Sequence, residues 1–98
     1  MPMQPLSDTE IDAALATLAP SWRREGDSIV AELECKDFAS AIVLVNAIAA
    51  EAERADHHPD ILIHGYRRLT ITLSTHAAGG LTQRDFALAG AIDALVAG

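Results

Sequence analysis

The chain has 98 residues, half of them hydrophobic, which fits one small globular domain and argues against a disordered segment. Fourteen acidic residues against seven Lys and Arg give a formal charge of -7, and an acidic chain without a basic run excludes direct binding to nucleic-acid phosphates. We find no leader sequence, no apolar run of membrane length and one cysteine, so we expect a soluble cytoplasmic protein that has no membrane partner.

The first part of the chain predicts a helix followed by a β-hairpin. Residues 1–6 are expected to form a flexible tail, and the Ser-Asp-Thr-Glu stretch at 7–10 has the form of a capping box that begins a helix. A proline ends this helix near Ala19. A short extended segment that opens at Trp22, and alternating apolar residues over 28–35, then indicate the two strands of a hairpin.

The longest helical pattern covers residues 38–55, with Asp37 as its N-cap and Pro59 preventing its continuation. Its inward stripe is predicted to consist of Phe38, Ile42, Val45, Ile48, Ala49 and Ala52. Apolar residues also lie outside this stripe, and aromatic residues are only 4% of the chain, so the core is thin. Both features favour packing of the helix against a second subunit.

Two more strands and a helix complete the pattern. Residues 61–63 form a short strand, residues 68–75 alternate as a longer one, and Thr82 caps a last helix with Asp85 three positions on. The order α-β-β-α-β-β-α predicts an α+β domain of two layers, with three helices on one face of a four-stranded antiparallel sheet. We expect residues 1–98 to form this single domain.

All four histidines fall within twenty residues. His57 and His58 directly follow the long helix, and His76 is predicted to end the second long strand. Element boundaries are where a scaffold usually presents reactive side chains. Histidines that end a helix or a strand are also common without any function, and His64, in a turn, is interpreted as an exposed bystander.

Two kinds of chemistry fit these residues poorly. Three imidazoles with Glu53, Asp56 or Asp60 could ligate zinc, but adjacent histidines lack the i, i+4 spacing that places two ligands on one helix face. Cys35 lies inside a predicted strand and Ser74 has no nucleophile elbow around it. General acid–base catalysis remains, because imidazoles exchange protons near neutral pH.

The spacing of these residues resembles the signature of the pterin-4a-carbinolamine dehydratase family. That signature joins an acidic residue, a His-His-Pro triplet, an aromatic residue, a further histidine and an aspartate at fixed intervals. The corresponding residues of this chain are Glu53, His57-His58-Pro59, Tyr66, His76 and Asp85. The stretches 72–76 and 80–85, the early Trp22, and the Lys-Asp-Phe at 36–38 are also similar to that family, so the resemblance covers nearly the whole chain.

The resemblance implies a cofactor-free and metal-free hydro-lyase that forms a homodimer or homotetramer. Its substrate would be the 4a-hydroxytetrahydropterin left by an aromatic amino-acid hydroxylase, and its products would be quinonoid dihydropterin and water. His57, His58 and His76 would be the catalytic residues, with His57 and His76 as the acid/base pair and His58 positioning the pterin and sharing proton transfer. The substrate-binding residues would be Glu53, Asp56, Pro59, Ser74, Thr75, Ala77 and Trp22.

Three of these residues keep a structural alternative. Asp85 is fully explained as a helix cap, and Trp22 and Tyr66 are explained as core aromatics, so Asp85 and Tyr66 are assigned supporting roles. Animal members of the family have a cysteine just after the last histidine, whereas this chain has Ala77-Ala78-Gly79. The rival hypothesis is a catalytically silent binding module of the same fold, acting as an assembly chaperone or a transcriptional coactivator.

Overall fold

A computed structural model describes residues 4–98, and across that span the elements follow the predicted α+β order. The elements are α1 (Asp8–Leu15), β1 (Trp22–Glu25), β2 (Ser28–Glu34), α2 (Phe38–Ala55), β3 (Asp60–His64), β4 (Arg68–Leu73), a 3-10 turn (His76–Ala78) and α3 (Gln83–Ala97).

The four strands form one antiparallel sheet in the order β1-β2-β4-β3. Ala31 on β2 lies opposite Trp22 on one side and Ile71 on the other, and Ile71 lies opposite Ile61. Because side chains alternate across a strand, this row faces one side of the sheet while Glu32 and its neighbours face the other. The inner row packs with buried residues of all three helices in a single cluster, which confirms the two-layer prediction.

Helix α2 determines the position of His57 and His58, which follow its C-terminal end. The Asp37 carboxylate accepts from the Ser40 backbone N–H at 2.8 Å, as predicted for an N-cap, and this hydrogen bond lowers the pKa of Asp37. The helix then runs for 18 residues to Ala55 and ends at Asp56, whose φ of 49° is in the left-handed region.

The buried stripe of α2 is narrower than predicted, since its fully buried residues are Ala41, Ile48 and Ala52. Ala49 is exposed because at 100° per residue it lies about 80° from the centre of that stripe. Phe38 is the first helical residue, one turn before Ala41, and is 53% exposed. The predicted inward positions of Phe38 and Ala49 are therefore wrong.

Two predictions for the N-terminal region also need correction. Helix α1 ends at Leu15 instead of near Ala19, because the chain beyond it tightens into i to i+3 hydrogen bonds such as Leu18 N–H to the Leu15 carbonyl. Leu6 is not part of a loose tail, since its N–H donates to the Leu81 carbonyl at 2.8 Å and its side chain packs on the core. Residues 1–3 of the predicted tail lie outside the described residues.

No helix within residues 4–98 has both the length and the apolar character that crossing a membrane requires.

Candidate active site

The centre of the candidate site is the carboxylate of Asp85 in the first turn of α3. This side chain is 0% exposed and completes a capping box by accepting from the Thr82 backbone N–H at 3.0 Å. Its oxygens also contact the Thr75 hydroxyl at 2.8 Å and Nε2 of His57 at 2.6 Å. One helix cap therefore holds residues from the end of α2 and from the segment after β4.

The donors around this carboxylate can be assigned by accounting for hydrogens. An ionised carboxylate only accepts hydrogen bonds, so Nε2 of His57 and the Thr75 hydroxyl both donate to Asp85. Since Thr75 has used its hydrogen, the Thr82 hydroxyl donates to it across 2.9 Å. A neutral His57 is then the tautomer protonated on Nε2, and Nδ1 is the ring nitrogen left outside this network.

The backbone around His57 is fixed by the end of α2. The left-handed conformation at Asp56 turns the chain, and the His57 N–H returns to the Ala52 carbonyl at 3.1 Å. The Arg84 guanidinium, from α3, donates to the carbonyl oxygens of Ala55 and Asp56. His57 is consequently a buried side chain, 8% exposed, on a backbone that is held from two sides.

His58 has a different environment. Its Nε2 contacts the carboxylate of Glu53, one turn earlier on α2, at 2.5 Å, and both side chains are largely exposed. Such a solvated pair holds the ring weakly compared with a buried one. Glu53 is thus placed to orient His58, while the imidazole stays open to the solvent.

The surroundings of His76 differ from the prediction. Strand β4 ends at Leu73, and Thr75 forms an isolated bridge with Gly80, so His76 begins a 3-10 turn and does not end a strand. Alternation along 68–75 could not reveal this, because the Thr75 side chain is buried toward Asp85 and continues the strand pattern. Nε2 of the exposed His76 lies 3.4 Å from the Ser74 hydroxyl.

These segments enclose an open cleft of about 260 Å³, called here the histidine cleft. All three predicted catalytic histidines line it. Its lining residues are Asp56, His57, His58, Ser74, Thr75, His76, Ala77 and Arg84. Glu53 lies three residues before Asp56, and Pro59 directly follows His58, but neither is among these lining residues.

Two aromatic residues of the predicted site lie elsewhere. Trp22 is buried, and its indole N–H donates to the Asp93 carboxylate at 2.8 Å, which ties β1 to α3. Tyr66 is 63% exposed in the turn between β3 and β4, with the Arg67 guanidinium 5.9 Å from its ring centre. Neither residue lines the histidine cleft, and Tyr66 is not a core aromatic.

Arg84 was not identified from the sequence. Its role depends on carbonyl oxygens that lie 28 and 29 positions away, and a lone arginine beside a helix cap carries no local signal of such contacts. Among residues 4–98, no group of three or more His, Cys, Asp or Glu side chains is arranged to hold a metal ion.

A sequence model of the family described as pterin 4 alpha carbinolamine dehydratase matches residues 4–95. A candidate pterin-4-alpha-carbinolamine dehydratase of Nocardia farcinica is 53% identical over 90 residues, which cover 92% of this chain and 93% of the relative. A relative of the same name from a Picosynechococcus strain is 49% identical over 90 residues, covering 92% and 96%.

Two solved structures are also similar. One, described as a transcriptional coactivator/pterin dehydratase from Brucella melitensis, has a TM-score of 0.88 and 31% identity, covering 94% of this chain and 98% of that one. The other is a pterin dehydratase-like protein described as a RuBisCO assembly factor in the alpha-carboxysome. It has a TM-score of 0.64 and 28% identity, with 76% and 88% of the two chains covered.

The Asp85 network makes a prediction about the His57 tautomer. In Asp85→Asn, the amide oxygen must still accept from the Thr82 N–H, so the amide NH₂ faces His57 and forces its Nε2 to become an acceptor. We expect a switch to the Nδ1-protonated tautomer, seen in side-chain ¹⁵N NMR shifts, and a loss of about 1–3 kcal/mol in the free energy of unfolding.

Glu53→Gln is the matched control, since it makes the same change at the exposed partner of His58. It should alter the free energy of unfolding by less than about 0.5 kcal/mol and leave the His57 resonances in place. An unchanged His57 tautomer in Asp85→Asn would contradict the assignment.

Proposed function

The chain belongs to the pterin 4 alpha carbinolamine dehydratase family, and we propose that it removes water from a 4a-hydroxytetrahydropterin to give quinonoid dihydropterin. The observation that carries this proposal is the convergence of His57, His58 and His76 on one open cleft. Two of the three imidazoles have a carboxylate partner, which suits them to transferring or holding protons.

The reaction needs one proton donated and one removed. The C4a–O bond breaks, the leaving oxygen takes a proton from an acid, and water departs. The N5–H bond gives its electron pair to a new C4a=N5 double bond while a base takes that proton. Charge and atoms balance without an oxidant or reductant, and positioned acid and base groups typically contribute about 10²–10⁴-fold each.

His57 and His76 are the proposed acid/base pair. His57 is held by Asp85 and keeps Nδ1 free, whereas His76 comes from a different segment, the 3-10 turn after β4. A pterin in the cleft can therefore meet an imidazole from each segment. We assign His58, oriented by Glu53, to positioning the ring, and the polar groups of Asp56, Ser74 and Thr75 to binding it.

The proposal also covers the oligomeric state of the protein and the enzyme that supplies its substrate. Phe38, Val43 and Leu62 are large apolar side chains that the single chain leaves exposed, which supports a homodimer or homotetramer. The partner system would be an aromatic amino-acid hydroxylase that supplies the carbinolamine in the cytoplasm. Neither a metal nor an organic cofactor enters the proposed steps.

The second candidate function is non-catalytic binding. Two similar structures carry the descriptions transcriptional coactivator/pterin dehydratase and RuBisCO assembly factor, so the fold is associated with partner roles as well. The complete set of three cleft histidines favours the enzyme here. A dehydration assay separates the two candidates.

The direct test is a hydroxylase-coupled assay that follows disappearance of the 4a-carbinolamine. Purified protein should accelerate this step well above the rate in buffer at neutral pH, because three imidazoles that can donate and accept protons line the cleft. Circular dichroism confirms that the protein is folded. A folded protein that leaves the rate at the buffer value would refute the dehydratase proposal and favour the binding role.

The proposed acid and base roles of His57 and His76 predict the effects of replacing these histidines. His76→Ala should lower kcat by about 10²-fold or more with little change in the urea midpoint, since the exposed side chain contributes little packing. Replacing His57 and His76 together should cost less than the sum of the single costs, because the two act as a unit.

His64→Ala provides the control, since His64 ends β3, contacts Thr70 at 3.1 Å and does not line the cleft. It should retain wild-type kcat. Equal turnover in His76→Ala and His64→Ala would show that His76 is not an acid or base in this reaction.

A further inference from the structure

The peptide unit that joins Asp56 to His57 is held at both of its edges. Its N–H, which belongs to His57, donates to the Ala52 carbonyl at 3.1 Å, so this edge is held by α2 itself. Its carbonyl oxygen, which belongs to Asp56, accepts from the Arg84 guanidinium on α3. Because a peptide unit is a rigid plane, hydrogen bonds on its two opposite edges fix the direction in which the chain enters His57.

The bond from Arg84 stabilises a backbone that is otherwise unfavourable. Asp56 has a φ of 49° and a ψ of 45°, in the left-handed region that a residue with a Cβ enters at a cost. The last carbonyl groups of a helix also lack partners within the helix and carry the negative end of its dipole. The positive guanidinium donates to two of these oxygens, those of Ala55 and Asp56.

Arg84 and Asp85 are consecutive residues in the first turn of α3, and they hold the same histidine at opposite ends. Asp85 accepts from Nε2 of the His57 ring at 2.6 Å, while Arg84 donates to the peptide oxygen just before His57. The position of this imidazole therefore depends on both residues. His58 comes next in the chain and has only the solvated pair with Glu53 to orient its ring, so its backbone position depends on the same peptide unit.

We propose that Arg84 is a positioning residue for the dehydration reaction, which holds the Asp56–His57 peptide unit so that the imidazoles of His57 and His58 face a bound pterin. This inference rests on the proposed function and adds to it a residue that acts through the backbone of others. Although Arg84 lines the histidine cleft, its Nη2 is committed to two carbonyl oxygens. Its loss should therefore reduce the turnover of bound pterin much more than the affinity for pterin.

The test replaces Arg84 with Met, which keeps an unbranched apolar side chain and removes the donors. In the hydroxylase-coupled assay kcat should fall about 10- to 100-fold, because a misplacement of about 1 Å costs up to about 10²-fold in rate. KM, and the dissociation constant of a 7,8-dihydropterin measured by isothermal titration calorimetry, should each change less than about threefold. Arg84→Lys should recover part of the loss in kcat, because an ammonium group can still donate to one of the two oxygens.

A second measurement on the same variants does not depend on the reaction. Hydrogen exchange of the His57 amide reports how firmly its bond to the Ala52 carbonyl is held. In Arg84→Met this amide should exchange about tenfold faster, whereas the amide of Ile48, in the middle of α2, should change less than about threefold. A general loss of stability would accelerate both amides equally.

Arg54→Met is the matched control, since Arg54 lies in the last turn of α2, pairs with Glu51 of the same helix and does not line the cleft. It should retain the wild-type kcat and the wild-type exchange rate at His57.

Three results in Arg84→Met would each refute the positioning role. A dissociation constant that rises as much as kcat falls would make Arg84 a ligand contact. Equal acceleration of the His57 and Ile48 amides would make it a residue of general stability, and an unchanged His57 amide in an active protein would show that the peptide unit does not need it. A wild-type protein that leaves the carbinolamine at the buffer rate would instead refute the proposed function, and the catalytic role of Arg84 with it.

Discussion

The buried carboxylate of Asp85 is the interaction on which both the fold and the site depend. Removing an ionised carboxylate from water costs several kcal/mol unless hydrogen bonds replace its hydration. Here the replacements come from three places, the first turn of α3, Thr75 beyond β4 and His57 beyond α2. The compensation is complete only when α2, β4 and α3 are in their native arrangement, so folding and assembly of the histidine cleft are one event.

The hydrogen bond to Asp85 gives His57 an environment different from those of His58 and His76. His57 is buried and held in one tautomer, which suits a group that must meet a fixed point on a ligand. His58 and His76 are exposed, one with Glu53 and one near Ser74, and can adjust when a ligand enters. Arg84 adds a second connection from α3 to the end of α2. The cleft thus combines one buried and anchored imidazole with two exposed ones.

The local part of this arrangement was predictable from the sequence. Hydrophobic periodicity and caps predicted the element order, and capping boxes at 7–10 and 82–85 are present. The capping role of Asp85 was also foreseen, but its contact with His57 joins residues 28 positions apart, and no local pattern reports it. The same holds for Trp22, whose buried indole N–H donates a hydrogen bond to Asp93, 71 positions away. His76 does not end a strand as predicted, because β4 ends at Leu73 and Thr75 forms only an isolated bridge with Gly80. Tertiary pairing decided each of these cases, and the local hydrophobic and capping patterns do not report it; only the spacing shared with the family signature places His57, His76 and Asp85 in one set.

We propose that the cleft anchored by Asp85 binds a pterin. The most direct measurement is an amide ¹H–¹⁵N NMR titration of the wild-type protein with a 7,8-dihydropterin. Binding in the cleft should give the largest shifts in the two segments that line it, around His57 and around Ser74 to His76, and no shifts on the outer sheet face around Glu32. Shifts centred elsewhere, or none at saturating ligand, would contradict it.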